Sequence, residues 1–336
     1  MTKLYVLAGT LLTTMTVAQS DCNGAGGVET ATPWDPPPTE APPTPTPSPT
    51  APATPSPAPT PTPIDYGGCK LTVTFDSGAN GSPDSVMTYY HDPKRVLMAS
   101  TEDYGADGIL EGLHRYHYDA RGLLIQEEQD NAADGTVDFL YAYEYSAAGE
   151  EIRSTVDIRA NGVLDSITTH AWVDGLRVET RIDNNADGHI DTAKFYGYDA
   201  DRRRTSILTD YGADGLTDAI DRFFWDAEGR LVREESDANA DGAPNMITTH
   251  LYDGGGRLVS TAIDSNGDER PDLVYYFTYD DAGRQLTSEL DSGADGSINT
   301  LTTNTWDADG NLLTVETDIG ADGRLDTIYS YGGTCY

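Results

Sequence analysis

The chain has 336 residues, with 56 acids against 21 bases and a formal net charge of −35. That balance excludes nucleic acid and an anionic membrane surface as partners, because both repel such a chain. Of the acids, 26 occupy three positions of one recurring loop, a concentration that points to a cation rather than to solubility alone.

Lys3 and the apolar run 4–18 read as an export signal over residues 1–20, too short to span a bilayer as a helix. Between residues 33 and 63 lie 15 of the 19 prolines, interleaved with Thr, Ser and Ala. Such a segment cannot bury a core, so residues 21–63 are expected to form a disordered, extended stalk. Folding is left to residues 64–336. The three cysteines are Cys22, Cys69 and Cys335. An odd count in an exported chain is accounted for if Cys69 pairs with Cys335 and Cys22 is lipidated. The tripeptide Gln19-Ser20-Asp21 departs from a lipobox, which leaves free secretion as the alternative.

From Asp76 the chain is a comb. Acidic loops open at Asp76, Asp103, Asp130, Asp157, Asp183, Asp210, Asp237, Asp264, Asp291 and Asp318, 27 residues apart except for one step of 26. A period of this size marks a stacked supersecondary unit. Within each unit, two turn-rich segments separate two runs of about seven residues, which fits strands. Position eleven, counted from the opening Asp, is apolar in every copy, as in Leu113, Ile220 and Ile247. Positions fourteen and sixteen carry ring pairs such as Tyr116 with Tyr118 and Phe223 with Trp225, on one face of a strand. The fifth residue before each loop is apolar in all but Thr205 and is expected to join the core. Ten such pairs predict an all-β fold of about twenty up-and-down strands, with the rings stacked as structural ladders.

The turn after position sixteen, as in Tyr118-Asp-Ala-Arg-Gly122, Trp225-Asp-Ala-Glu-Gly229 and Tyr279-Asp-Asp-Ala-Gly283, resembles the YD repeat of the RHS family. The resemblance covers most of residues 69–331 and implies strand pairs that spiral into a hollow β-shell. The turns after Tyr145, Trp172 and Tyr198 depart from it, and no Asp-Pro self-cleavage core or toxin segment accompanies it.

The loop itself reads Asp-x-x-Ala-Asp-Gly-x-x-Asp and resembles the calcium loops of FG-GAP repeats and thrombospondin type-3 repeats. Calcium needs six to eight hard oxygens, and carboxylates spaced along a tight loop can converge on one point. On that resemblance the ligands are Asp183, Asn185, Asp187 and Asp191 in the best loop. Next come Asp103, Asp107 and Glu111; Asp130, Asp134 and Asp138; and Asp210, Asp214 and Asp218. Completing the set are Asp237, Asn239 and Asp241; Asp264, Asn266, Asp268 and Asp272; Asp291 and Asp295; and Asp318, Asp322 and Asp326. The third position is mostly Gly, which leaves a gap for water, and Arg159 makes the loop at Asp157 the poorest. The competing reading is that these are ordinary Asp-Gly turns.

No catalytic constellation breaks the repetition, so no enzyme is expected. His114 and His117, three apart on a strand, should face opposite ways. The sequence thus predicts a calcium-stabilised extracellular repeat protein on a stalk, acting in bacterial surface adhesion or envelope structure. A glycan- or protein-binding module and a toxin-shell fragment are the alternatives. A Cys69–Cys335 bond requires the sheet to close as a barrel, propeller or shell, since the ends of an open meander would lie on the order of 90 Å apart.

Overall fold

A computed structural model describes residues 66–334. The export signal, the stalk, Cys22 and Cys335 lie outside the described residues. The first ten strands are β1 (Lys70–Ser77), β2 (Ser85–His91), β3 (Leu97–Tyr104), β4 (Gly112–Tyr118), β5 (Leu124–Asp130), β6 (Phe139–Tyr145), β7 (Glu151–Ile158), β8 (Ser166–Val173), β9 (Leu176–Asp183) and β10 (Thr192–Tyr198). They continue as β11 (Arg204–Tyr211), β12 (Ala219–Trp225), β13 (Leu231–Asp237), β14 (Met246–Tyr252), β15 (Leu258–Asp264), β16 (Leu273–Tyr279), β17 (Gln285–Ser292), β18 (Thr300–Trp306), β19 (Leu312–Ile319) and β20 (Thr327–Gly333). Every strand pairs antiparallel with the next, and β20 pairs with β1, so the twenty strands close into one barrel. Of the shapes open to the sequence, the barrel is the one adopted. At about 4.8 Å per strand its perimeter is roughly 100 Å.

The closing seam runs from Ser77 opposite Thr327 to Leu71 opposite Gly333. At its end, Thr334 donates its backbone N–H to the Lys70 carbonyl at 2.8 Å. Gly333 is required there: at φ +143°, a Cβ would stand 2.1 Å from that carbonyl oxygen. Cys69, next to this seam, is disulfide-bonded.

Alternation divides each strand between two faces. Position eleven and the opening Asp of the following loop sit opposite each other on one face, as in Leu113 with Asp130 and Ile247 with Asp264. Positions twelve, fourteen and sixteen, with most of the rings, share the other. Each strand touches only its two ladder neighbours, so the wall is one sheet thick and its side chains are largely half-buried. The fully buried apolar residues are few: Ala99, Leu113, Ala193, Ile247 and Val274.

One expected core position fails. In nine hairpins the register shifts at position sixteen, so Trp172 opposes Arg177 after Ala171 opposes Glu179, and Trp225 opposes Leu231 after Phe224 opposes Arg233. The fifth residue before each loop is the extra residue of this β-bulge. It has no partner of its own in the ladder: Ile125, Ile152, Leu286 and Leu313 are exposed, while Met98, Val178, Val232 and Val259 are half-buried. Read as simple alternation, the sequence conceals the bulge because it costs one residue without changing the period.

Candidate functional site

Up-and-down connectivity places all ten acidic loops at one rim and all the YD turns at the other. At the acidic rim the loops share one hydrogen-bonding scheme. Asp237 accepts the Asp241 N–H on Oδ1 at 3.1 Å and the Gly242 N–H on Oδ2 at 2.9 Å. Asp241 Oδ1 accepts the Ala243 N–H at 2.9 Å, and Asn245 Oδ1 accepts the Ala238 N–H at 2.6 Å. The opening Asp is buried in all ten loops, and Asp130, Asp237 and Asp291 are the largest fully buried side chains. The left-handed conformations that bend the chain round it fall at positions four and six, such as Ala240 (φ 52°) and Gly242 (φ 98°). At Asp264 the sixth position is Glu269, which holds φ 67° without being glycine.

Positions five and nine work as acceptors rather than as charges. Asn80 and Asn161, which replace Asp at position five, accept the N–H of Ser82 at 2.9 Å and of Val163 at 2.8 Å. Glu111 and Asn299 at position nine likewise accept the N–H of Tyr104 and of Ser292. The third acid thus has a turn-forming task of its own. Position three is also more than a gap for water: Gly105 and Gly212 donate to the carbonyls of Asp84 and Asp191 in the preceding loops, each at 2.6 Å. Gly78 donates to Asp326 across the closing seam, and Arg159 to Asp138. These links need a left-handed residue, found at Gly105 (φ 104°), Gly212 (φ 82°) and Arg159 (φ 71°).

The fit of the rim to calcium follows from this geometry. Both oxygens of each opening Asp are engaged by backbone N–H groups. Among the described residues no three His, Cys, Asp or Glu side chains are grouped as a bound metal would need. In the predicted best loop, Asn185 Nδ2 donates to Asp187 Oδ2 at 3.2 Å and His189 Nδ1 lies 3.1 Å from Asp187 Oδ1, so those groups face one another. The second oxygens of Asp107, Asp134, Asp214 and Asp295 make no hydrogen bond and face outward from exposed residues.

At the opposite rim, the YD aspartate performs the same service. Asp226 Oδ1 accepts the N–H of Glu228 at 3.0 Å and of Arg230 at 2.8 Å, while Oδ2 accepts Arg230 Nε at 2.6 Å. The Arg230 guanidinium then lies 4.9 Å from the ring centre of Tyr252 in the next repeat. Arg284 spans 5.9 Å to Trp306 and donates to the Asp307 carbonyl at 3.0 Å. Arg203, Arg230, Arg257 and Arg284 thus link turn to turn, a relay that sequence reasoning missed although the last three follow the turn glycine and Arg203 follows Arg202 at the same place. The Arg four places on, chiefly through its backbone N–H and then through its guanidinium, holds each of Asp199, Asp226 and Asp280 below the ordinary carboxylate value of 3.8.

The rings at position sixteen are anchored rather than free. From Tyr118 through Trp306, eight of them donate O–H or N–H to the carbonyl 21 residues earlier, at 2.7–2.9 Å. That carbonyl belongs to the residue just before the bulge. His114 and His117 face opposite ways, towards Glu127 at 3.5 Å and Glu128 at 3.2 Å.

No protein family and no curated protein sequence matches the chain. Among solved structures, a TcdB2-TccC3-Cdc42 crystal structure shares 14% identity at a TM-score of 0.40, over 73% of this chain and 15% of that one. A porin-like protein from Bacteroides uniformis shares 11% identity at a TM-score of 0.36, over 79% of this chain and 97% of that one. A porin-like protein from Bacteroides vulgatus shares 11% at 0.28, over 67% and 95%. Likeness this distant carries no functional meaning.

Two outcomes follow from the rims. Asp237→Ala strands two part-buried N–H donors at about 1 kcal/mol each, so urea unfolding should show a loss of about 2 kcal/mol, with Asp237→Asn losing about half as much. At the other rim, a depressed carboxylate pKa gives stability that is present above pH 3.8 and lost as pH falls through the lower folded value. Asp226→Asn should therefore melt below the wild type at pH 6, and the difference should shrink by pH 3. A gap constant with pH would contradict this role.

Proposed function

We propose that the chain is a non-enzymatic, exported repeat barrel, carried on its Pro-rich stalk and acting in adhesion or envelope architecture at a bacterial surface. One observation carries the reading. The repeated polar groups at both rims are committed to holding backbone, so they make a rigid wall and offer no nucleophile or base set apart for chemistry. The strands also suit water rather than lipid. They are seven or eight residues long, shorter than the roughly 9–11 residues of a membrane-spanning strand. Both faces carry charge: Arg115, Glu128 and Arg153 on the apolar-ladder face, and Glu127, Lys194 and Glu234 on the aromatic face. An outward apolar band cannot form on such faces.

Calcium belongs to this proposal as a weak ligand of the outward carboxylate oxygens at positions five and nine, not as the ion that folds the loops. A rim bearing so many acids concentrates divalent cations, while the N–H donors already satisfy the buried oxygens. Excess chelator should leave the circular dichroism spectrum and melting temperature unchanged. Millimolar calcium should raise the melting temperature more than sodium of equal ionic strength. Equal effects of the two salts would remove calcium from the account, and unfolding by chelator would restore it as a folding ligand.

A further inference from the structure

We propose that a column of rings and guanidinium groups on the aromatic face, centred on Arg177 and Arg204, is a binding site for a ligand bearing oxyanions. In five of the nine bulged hairpins the residue before the bulge is leucine, Leu97, Leu124, Leu231, Leu258 and Leu312, and Glu151 and Gln285 fill two more. In two consecutive repeats it is arginine, on β9 and β11. Arg177 lies 5.8 Å from the Trp172 ring centre and 5.3 Å from that of Tyr196. Arg204 lies 5.5 Å from Tyr196 and 5.8 Å from Phe223. Five adjacent strands, β8 to β12, therefore contribute ring, cation, ring, cation and ring in turn.

Stacking between rings fixes a guanidinium plane and leaves its hydrogen-bonding edge unused. Among the described residues, neither arginine pairs with a carboxylate and neither side chain donates a hydrogen bond. Arg204 Nε is the one buried side-chain nitrogen or oxygen without a partner. In a chain with 56 acids, two cations left unpaired on a half-buried face need an explanation. Lys194, on β10 between them and on the same face, has no ion-pair partner either. From β8 to β11 this face carries no carboxylate; it is flanked by Glu151 on β7, 3.4 Å from His170 Nε2, and by Asp221 on β12 and Glu234 on β13 beside Phe223. Arg binds carboxylate or phosphate oxygens through a paired-donor edge. Two such edges two strands apart, about 10 Å, fit a ligand with two or more oxyanions.

Carboxylates of an acidic sugar and phosphate-type groups share this chemistry, and titration calorimetry near physiological salt separates them. The probes are inorganic phosphate and a trigalacturonate, added to the intact protein, to Arg177→Leu, to Arg204→Leu and to the double variant. Leucine is the residue other repeats carry at this place, so the fold should persist, which circular dichroism checks. Arg177→Lys with Arg204→Lys keeps the charge and loses the fork should the leucine variants fail to fold. The expected result is millimolar or tighter binding of at least one probe, weakened at least tenfold by the double leucine variant and at least threefold by the lysine pair. The probe that binds names the source. Binding of neither probe to the wild type, or equal affinity in the variants, overturns the proposal.

Discussion

Every hairpin in this barrel depends on one interaction: a buried aspartate at the foot of a strand that accepts two backbone N–H groups from the loop it opens. Among the described residues the wall is a single sheet with no second layer against it, so apolar burial on either face is partial. Register must then be held at the strand ends. A carboxylate accepting from two amides is among the stronger neutral-to-charged hydrogen-bonding arrangements available. Placed opposite the apolar residue at position eleven, it is shielded from water on the ladder side.

The links between repeats follow from the same economy of donors. A left-handed residue at position three turns its N–H towards the preceding loop; at Ala132, where position three is not left-handed, the next residue bonds locally, Ala133 to the Asp130 carbonyl at 3.3 Å. The opposite rim uses side chains where this one uses backbone, with Arg230 reaching from its own turn aspartate to the next ring. The Gly78 link to Asp326 shows the rim scheme continuing through the seam, so closure repeats the contact already made between neighbouring repeats.

Much of this was legible. The period set the strand count, positions fourteen and sixteen announced a shared face, and closure followed only if Cys69 pairs with Cys335, an open solenoid being the alternative. The bulge was hidden because Val178 or Leu286 reads as one more apolar residue until its partner strand is known. The rim's chemistry was half-visible. Three acids in a tight loop look like a metal site, and only the donors they meet distinguish that from a capped turn. Asn80, Asn161, Asn245 and Asn299 take the same acceptor role through an amide oxygen. Arg177 and Arg204 were visible as departures from leucine, but their stacking needed the register that the bulge creates.

Carboxylates hold the rim amides, and hydrogen exchange on chelator-treated protein at neutral pH tests directly whether they do so unaided. The amides of Gly215, Gly242 and Gly296, each donating to an opening aspartate at 2.8–2.9 Å, should be protected to the same degree as those of adjoining strands. Exchange at the rate of an open chain, slowed only when calcium is added, would contradict the account.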